Sequence, residues 1–258
     1  MPTLCGLRRR GYTPHAIFDF VERAGVSKSL SVVDIELLEH CIREELNAEA
    51  PRRIAILHPI KVVITNYPEG KTEYFTQANH PQHPEMGTRE VPFTRELYID
   101  ADDFAEVPPP KFFRLKPDGE VRLMGSYIIK LNEIVKNADG SVKELHCTAD
   151  LETGNGNPAD GRKIKGTIHW LSADYAKEAT VMLYDHLFTL ENVADIPDGK
   201  GFDDYLNLNS VQKLEHCKLE PSLGAFVPGT RYQFVRVGYF IADTKYPDTY
   251  NCIVGLKD

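Results

Sequence analysis

The 258-residue sequence lacks the features that would assign it at once to several large functional classes. It has no run of about 18 consecutive apolar residues, and no apolar segment follows its basic N-terminal residues, so neither a membrane span nor a signal peptide is predicted. The phosphate-binding loops G-x-x-x-x-G-K-[S/T] and G-x-G-x-x-G are missing, as is the G-x-S-x-G motif of hydrolases. Because no cysteine and histidine form a recognisable nucleophile pair either, the residues predict no catalytic site.

Cysteine is scarce and shows no paired pattern. The five cysteines are odd in number, lie far apart and include no C-x-x-C pair. This usage is typical of a reduced, cytoplasmic protein in which most cysteines are buried as small apolar residues. His80 and His83 stand among prolines without a third ligand nearby in the sequence, so a polar loop is favoured over a metal site.

Basic charge is also in deficit. The net charge of −8 comes from 30 basic and 38 acidic residues, and proteins that bind nucleic acids usually carry a basic excess instead. The whole deficit lies between residues 61 and 199, with 15 basic and 23 acidic side chains, whereas the two ends are neutral. Focused arginines in the neutral N-terminal end, in Arg8-Arg9-Arg10 and Arg52-Arg53, can therefore still hold an anion.

Residues 1–50 follow helical periodicity. Thr13 and Pro14 predict the start of a helix, and Gly25 predicts its end. Ser31 and Asp34 resemble a capping box ahead of apolar residues spaced three and four apart. We interpret this region as the end of an α-helical subdomain.

Residues 51–258 follow the pattern of strands. Segments rich in Val, Ile, Tyr and Phe, many of them alternating with polar residues, are separated by Pro-Asp-Gly and similar turns. These segments are 53–65, 120–135, 163–170, 179–188 and 231–241. Roughly ten strands at hairpin spacing, without a βαβ rhythm, predict a mainly β fold of two antiparallel barrels.

Several arginines and amides fall on or beside these predicted strands. Arg114 and Arg122 stand either side of a Pro-Asp-Gly turn, so a hairpin would place both guanidinium groups on one face. Gln233 and Arg236 are three apart and point to opposite faces unless a bulge intervenes. Lys111 and Arg114 flank two phenylalanines, a mixture that suits unstacked RNA bases. On spacing alone, core phenylalanines and ion-paired arginines remain the stronger alternative.

Longer stretches carry a resemblance to one enzyme family. The C-terminal part of glutaminyl-tRNA synthetases closely resembles this chain, in order and over nearly its whole length, in LCGLRRRGYTPHAI, CIREELNAEAPRRIAILHPIKVVITNY, NHPQHPEMGTREVPF, EVRLMGSYIIK, NPADGRKIKGTIHWLSA and LYDHLF. PADGRKIKGTIHW best separates it from ordinary bacterial glutamyl enzymes. Archaeal- and eukaryotic-type glutamyl-tRNA synthetases share the barrel architecture but are less similar.

The resemblance implies a fragment of a class I synthetase, which joins glutamine to its tRNA using ATP and magnesium. The chain would begin after the Lys-Met-Ser-Lys-Ser loop of the catalytic Rossmann domain, so Met1 would not be the natural start. The expected partner is tRNA with a glutamine anticodon, bound without catalysis by a monomer that holds no cofactor and binds neither DNA nor membranes. Two alternatives stay open: a free-standing barrel that binds RNA or protein, and a glutamyl-type synthetase fragment.

The resemblance also implies the site residues. The family's anticodon contacts match by type at Arg52, Arg114, Arg122, Gln233 and Arg236, and with a longer amide at Gln82. Lys111 joins these candidates, and Arg53 is expected to be a solvated neighbour. Met124 stands where the well-known bacterial form has an arginine, and Phe113 replaces a lysine. Lys28 and Asp34 match, the latter as Asp for Glu, a helical region that contacts the inner corner of the tRNA. The anticodon contacts that the resemblance implies are scattered along the strand-rich region, from Arg52 to Gln233, so the two barrels are expected to be interleaved in sequence.

Overall fold

The computed structural model describes residues 3–26, 28, 32–158, 160–190, 192 and 195–256. The helices in these residues are α1 (Leu4–Arg10), α2 (Pro14–Ala24) and α3 (Ile35–Glu49), with short 3₁₀ turns at Pro84–Met86, Ala101–Asp103, Phe202–Tyr205 and Pro221–Leu223. The strands are β1 (Arg52–Arg53), β2 (Ala55–Ile56), β3 (Pro59–Ile64), β4 (Glu73–Ala78), β5 (Thr88–Phe93), β6 (Glu96–Asp100), β7 (Glu120–Leu123), β8 (Ile128–Lys136), β9 (Val142–Asp150), β10 (Thr167–Ile168), β11 (Leu171–Ser172), β12 (Lys177–Tyr184), β13 (Val211–Leu219), β14 (Arg231–Phe234), β15 (Gly238–Ala242) and β16 (Thr249–Gly255).

The predicted mainly β class is confirmed. The strands form two barrel-like sheets, one nearly closed and the other a half-barrel. The chain separates into two compact units, each discontinuous in sequence. The first unit comprises Met1–Pro51, Ala179–Glu215 and Ala225–Asp258, and the second comprises Arg52–Glu178 and His216–Gly224.

Capping residues mark the ends of the helices in the first unit. The Thr13 side chain accepts a hydrogen bond from the Ala16 N–H, Pro14 opens α2, and Gly25 ends it, as the sequence predicts. Asp34 caps α3 by accepting from the Glu36 N–H, whereas Ser31 of the predicted capping box lies outside the described residues. The sequence interpretation missed α1, which Gly11 ends in the left-handed region at φ 99°.

Apolar side chains from the helices cover the sheet of the first unit. In this unit β14, β15, β16, β12 and β13 lie side by side in that order. Leu38, Ile42 and Leu46 of α3 are buried in one cluster with Ile241 and Ile253. Burying an aliphatic side chain of this size contributes about 1.5–3 kcal/mol, so the spacing of three and four in α3 is explained by this sheet.

Two of the arginines near the N-terminus, Arg9 and Arg10, serve this packing and are not a free anion site. Arg9 Nη2 lies 2.8 Å from Asp243 Oδ2, and the Asp243 carboxylate is almost completely buried. Arg10 Nη2 donates to the Ile253 carbonyl at 2.9 Å. The expectation that this cluster could hold an anion is therefore wrong for Arg9 and Arg10, because both already have protein partners.

The second unit contains a seven-stranded sheet in the order β10-β7-β8-β9-β3-β6-β11 and the hairpin β4-β5. Most strand pairs in the chain are antiparallel, as predicted, but β3 pairs with β9, β7 with β10, and β12 with β16 in parallel. The run 120–135 is two strands rather than one, because Gly125 at φ 68° turns the chain between β7 and β8. Trp170 is fully buried at the centre, 5.0 Å from the Phe93 ring.

Glu73 is a partly buried carboxylate at the edge of this core. Its oxygens accept from the Tyr67 hydroxyl at 2.8 Å, the Tyr127 hydroxyl at 2.7 Å and Lys71 Nζ at 2.8 Å. Burial alone would raise the pKa of Glu73, but hydrogen bonds from Lys71 and the two tyrosines outweigh it and hold the pKa below its ordinary value. The ionised carboxylate is therefore the form that the folded state favours.

This arrangement predicts an acid-dependent loss of stability. Because the folded pKa of Glu73 lies below the unfolded one, its contribution is present above the unfolded pKa and is lost as the pH falls through the folded pKa. We expect Glu73→Gln to lower the urea midpoint at neutral pH and the difference from the wild type to shrink on acidification. A difference that stays constant between pH 7 and the acid limb would contradict this assignment.

Candidate nucleic-acid interface

A basic groove lies on the second unit, and two of the predicted residues, Lys111 and Arg114, line it together. The cavity measures about 970 Å³. Its lining residues are Pro108, Pro109, Pro110, Lys111, Phe112, Phe113, Arg114, Lys116, Asp118, Glu120, Lys130, Lys163, Ile164, Lys165 and Gly166. Six cationic side chains thus face two carboxylates, which makes the groove positive within an acidic part of the chain.

The backbone that carries these residues is fixed by a proline run and a close contact. Three consecutive prolines restrict the approach to Lys111, which adopts φ 63°. The carbonyl of Phe113 lies so close to Gly166 that a Cβ at Gly166 would overlap it. Gly166 in turn accepts a hydrogen bond from the Arg122 N–H at 2.9 Å. Glycine at position 166 therefore lets the Phe113 backbone sit against the segment leading into β10.

Arg114 is held at one end of the groove by acidic and carbonyl oxygens. Arg114 Nη1 donates to the Asp102 carbonyl at 2.6 Å, and Arg114 Nε lies 3.2 Å from Asp103 Oδ1. About two-fifths of the Arg114 side chain stays exposed. The expected hairpin with Arg122 is not formed, because Leu115 bridges to Phe104 and β7 pairs with β8 and β10 instead.

Arg122 lies on β7 with its guanidinium turned toward a loop. Arg122 Nη2 donates to the Gly156 carbonyl at 2.6 Å, and Nη1 donates to the Ser126 carbonyl at 3.1 Å. Both terminal nitrogens therefore already meet backbone oxygens. A base contact through them would have to replace the loop carbonyls.

Arg52 and Arg53 are both less exposed than the sequence predicts. Arg52 is buried, with 9% of its surface exposed. Arg53, the expected solvated neighbour, is half-buried and donates to the Asn79 side chain at 2.9 Å. The Arg52 N–H donates to the Asn79 carbonyl at 2.7 Å. This contact brings Arg52 beside the turn that carries the exposed Gln82.

Gln233 and Arg236 belong to the first unit. Gln233 lies on β14, is half-buried, and donates its backbone N–H to the Pro51 carbonyl at 3.0 Å. Arg236 is not on the strand: it sits in the tight turn after β14 at φ 67°. Because Arg236 lies in a turn and not on β14, the prediction that the two side chains point to opposite faces of one strand, or are brought together by a bulge, does not apply.

Lys28 and Asp34 lie between α2 and α3. Lys28 is exposed. The Asp34 carboxylate accepts from the Glu36 N–H at 3.0 Å and so caps α3. A capping carboxylate is already satisfied locally, which gives Asp34 a structural reason to be present.

The two positions that depart from the family pattern have clear environments. Met124 is half-buried and packs against the cluster of Ile54, Ile56 and Leu171. Phe113 is 52% exposed, and Lys165 Nζ lies 5.5 Å from the centre of its ring. Met124 therefore contributes packing, whereas Phe113 presents an open aromatic face beside a cation.

Four lysines of the groove, Lys116, Lys130, Lys163 and Lys165, were not among the predicted residues. The alternation Lys-Ile-Lys at 163–165 is the signal that could have identified two of them, since alternate residues of an extended chain face one side. Among the described residues, no three His, Cys, Asp or Glu side chains come together as metal ligands. Every helix in the same residues is too short or too polar to cross a membrane.

Comparison with known proteins matches both halves of the strand-rich region. Residues 50–150 and 167–243 match two family models, each described as tRNA synthetases class I (E and Q), anti-codon binding domain. A glutamine–tRNA ligase of Xanthomonas axonopodis pv. citri is 50% identical over 262 residues, 100% of this chain and 45% of the relative. One from Pseudomonas aeruginosa (strain LESB58) is 51% identical over 95% of this chain and 44% of the relative. One from Rhodopirellula baltica is 48% identical over 100% of this chain and 43% of the relative. The chain spans less than half the length of these curated relatives.

Proposed function

We propose that this chain, which belongs to the family of anticodon-binding domains of class I tRNA synthetases (E and Q), binds tRNA through the anticodon loop. The observation that carries this proposal is the identity of about half the residues, over the whole chain, with glutamine–tRNA ligases. The basic groove supports it, because unpaired loop bases are bound by cations mixed with exposed aromatic rings.

The partner we propose is tRNA with a glutamine anticodon, bound by a monomer in the cytoplasm. Arginine forks onto a phosphate or onto the acceptors of guanine, and glutamine pairs with an exposed base edge. The proposed contact residues are Arg52, Gln82, Lys111, Arg114, Arg122, Gln233 and Arg236, with Lys28 and Asp34 at the inner corner of the tRNA. Residues 1–50 are proposed as the end of a helical subdomain and residues 51–258 as the two barrels.

The ligase activity named for the relatives is proposed to need the part of those proteins that this chain does not cover. ATP and magnesium would act with that part, since neither a phosphate-binding loop nor a nucleophile motif occurs in this sequence. The expected contribution of the barrels is selection: correct anticodon contacts hold the tRNA, and surplus acidic residues elsewhere repel other RNA.

Anticodon replacement tests the proposal. The wild type is expected to bind tRNA with a glutamine anticodon more tightly than the same tRNA with a replaced anticodon. Gln233→Ala and Arg114→Lys should each weaken binding of the first tRNA by about 5- to 150-fold, the loss of one base contact of about 1–3 kcal/mol. Lysine keeps the charge beside Asp103 but loses the fork. Gln212→Ala, an exposed glutamine on β13, is the matched control and should change neither affinity.

Each other outcome of the titration points elsewhere. Equal binding to both tRNAs would mean that the barrels grip only the backbone. Preference for a glutamate anticodon would favour the glutamyl-type family. No binding of either tRNA by the folded chain would overturn the proposal in favour of a protein-interaction role.

A further inference from the structure

The groove on the second unit concentrates cations that have little to do with stability. Four lysines of the groove form no ion pair with any described residue: Lys111, Lys116, Lys130 and Lys163. The charged group of the fifth, Lys165, lies over the Phe113 ring. By contrast, lysines such as Lys61 and Lys136 elsewhere in this unit are paired with glutamates at 2.8 Å. Unpaired charges gathered along one cavity repel each other, so they indicate an anionic occupant.

One of the two acidic residues of the lining, Glu120, is already paired with an arginine outside the groove. Glu120 lies opposite Lys130 in the β7–β8 ladder, and its carboxylate is paired with Arg162 Nε at 3.0 Å. Arg162 also binds Asp150 and Asp160, each at 2.7 Å. Arg162, which lies outside the lining, is thus shared by three carboxylates and engages Glu120 in place of the groove lysines, and the lining itself keeps six cations against two carboxylates.

The spacing of the cations suits a linear anion. Lys163 and Lys165 are exposed on either side of the half-buried Ile164, so both project to one side, about 7 Å apart along an extended chain. The Phe113 ring is half exposed directly beneath Lys165. A row of cations beside an open ring is how proteins follow the backbone of single-stranded nucleic acid while one base stacks.

We propose that Lys163 and Lys165, with Lys130 beside them, form a track that binds RNA phosphates next to the anticodon, and that Phe113 stacks on a neighbouring base. This proposal rests on the proposed tRNA binding and assigns the groove to the RNA backbone. Lysine is a compact point charge without a planar fork, so it attracts a phosphate without distinguishing one base from another. The lysine track would fix the position of the anticodon loop, and the arginines and Gln233 would contact its bases.

Charge removal in the groove tests the track through the salt dependence of binding. The double variant Lys163→Gln, Lys165→Gln removes two positive charges that pair with no described carboxylate. Each lost phosphate contact should lower the slope of log affinity against log salt by about 0.7 for a single-stranded region, so we expect a decrease of about 1.4. The affinity for tRNA with the glutamine anticodon and for its anticodon-replaced form should fall by the same factor. The matched control is Lys143→Gln, Lys245→Gln, two exposed lysines outside the groove, which should keep the wild-type slope.

The outcomes separate this inference from the proposed function. If the wild type binds and discriminates, but the groove variant keeps its salt slope or behaves like the control, the track is wrong and tRNA binding stands. If the groove variant loses discrimination between the two tRNAs, these lysines contact bases and the phosphate assignment is overturned. If the wild type binds neither tRNA, the proposed function fails first, before the groove is tested.

Discussion

Replacing Glu220 by alanine is expected to lower the free energy of unfolding by about 3–5 kcal/mol, because the change removes one side of a buried ion pair. Glu220 is completely buried and binds Arg89 through Nε and, at 3.1 Å, through Nη2. It also accepts from the Ile54 N–H at 2.8 Å. Without it, the partners of the buried guanidinium among the described residues are the Ala78 carbonyl at 2.5 Å and the Gln77 side chain at 3.4 Å. Urea denaturation of the purified chain measures the loss.

Two further variants test whether the loss of stability in Glu220→Ala comes from the broken ion pair. Glu152→Ala removes an exposed carboxylate from a loop and is expected to change the free energy of unfolding by no more than about 0.5 kcal/mol. The pair Arg89→Met, Glu220→Leu removes both charges and should recover part of the loss, but not all of it, because the Ile54 N–H would still lack its acceptor. If Glu220→Ala is no more harmful than Glu152→Ala, the ion pair does not support this unit.

Replacing Gly166 by alanine is expected to weaken tRNA binding by about tenfold or more, the size of one or two lost contacts. A Cβ at this position would overlap the backbone carbonyl of Phe113, and a backbone atom cannot turn aside as the end of a long side chain can. The segment with Lys111, Phe113 and Arg114 must therefore move away from Gly166. Titration with tRNA, together with a urea midpoint for the same variant, measures both effects.

The stability of Gly166→Ala shows whether weaker tRNA binding comes from displacement of the 111–114 segment or from unfolding of the protein. Overpacking of a well-filled site costs about 1–3 kcal/mol, which a folded unit can survive. Gly201→Ala is the control, because a Cβ there meets nothing within 4 Å. Wild-type tRNA affinity in a folded Gly166→Ala protein would show that the 111–114 segment does not contact RNA.

Local chemistry explains which parts of the fold could be predicted. Thr13, Pro14 and Gly25 act on the backbone within a few residues of themselves, so the ends of α2 follow from the sequence. The run 120–135 was harder to divide, because both of its halves have strand character and a single glycine at 125 makes the turn. Helix α1 was missed because it is only seven residues long, too short for a helical period to stand out in the sequence.

Long-range pairing explains what could not be predicted about the candidate site. Nothing near Arg52 in the sequence distinguishes it from Arg53, yet one is buried and the other reaches Asn79. The groove lysines at 163 and 165 are 50 or more residues from Lys111 in the chain, and long-range contacts, such as that of Gly166 with the Phe113 backbone, bring them together. The resemblance supplied candidate residue types, while the environment of each guanidinium depended on the tertiary structure.

The return of residues 216–224 to the second unit has a consequence for synthesis on the ribosome. Most of this unit, through Glu178, leaves the ribosome before Glu220 is made. At 5–20 residues per second the intervening stretch takes about 2–8 s to translate. During that interval Arg89 has no carboxylate at Glu220 to receive it, and the Ile54 N–H has no acceptor there. The order of translation therefore delays completion of the second unit until the chain has passed through thirty-seven residues of the first, Ala179–Glu215.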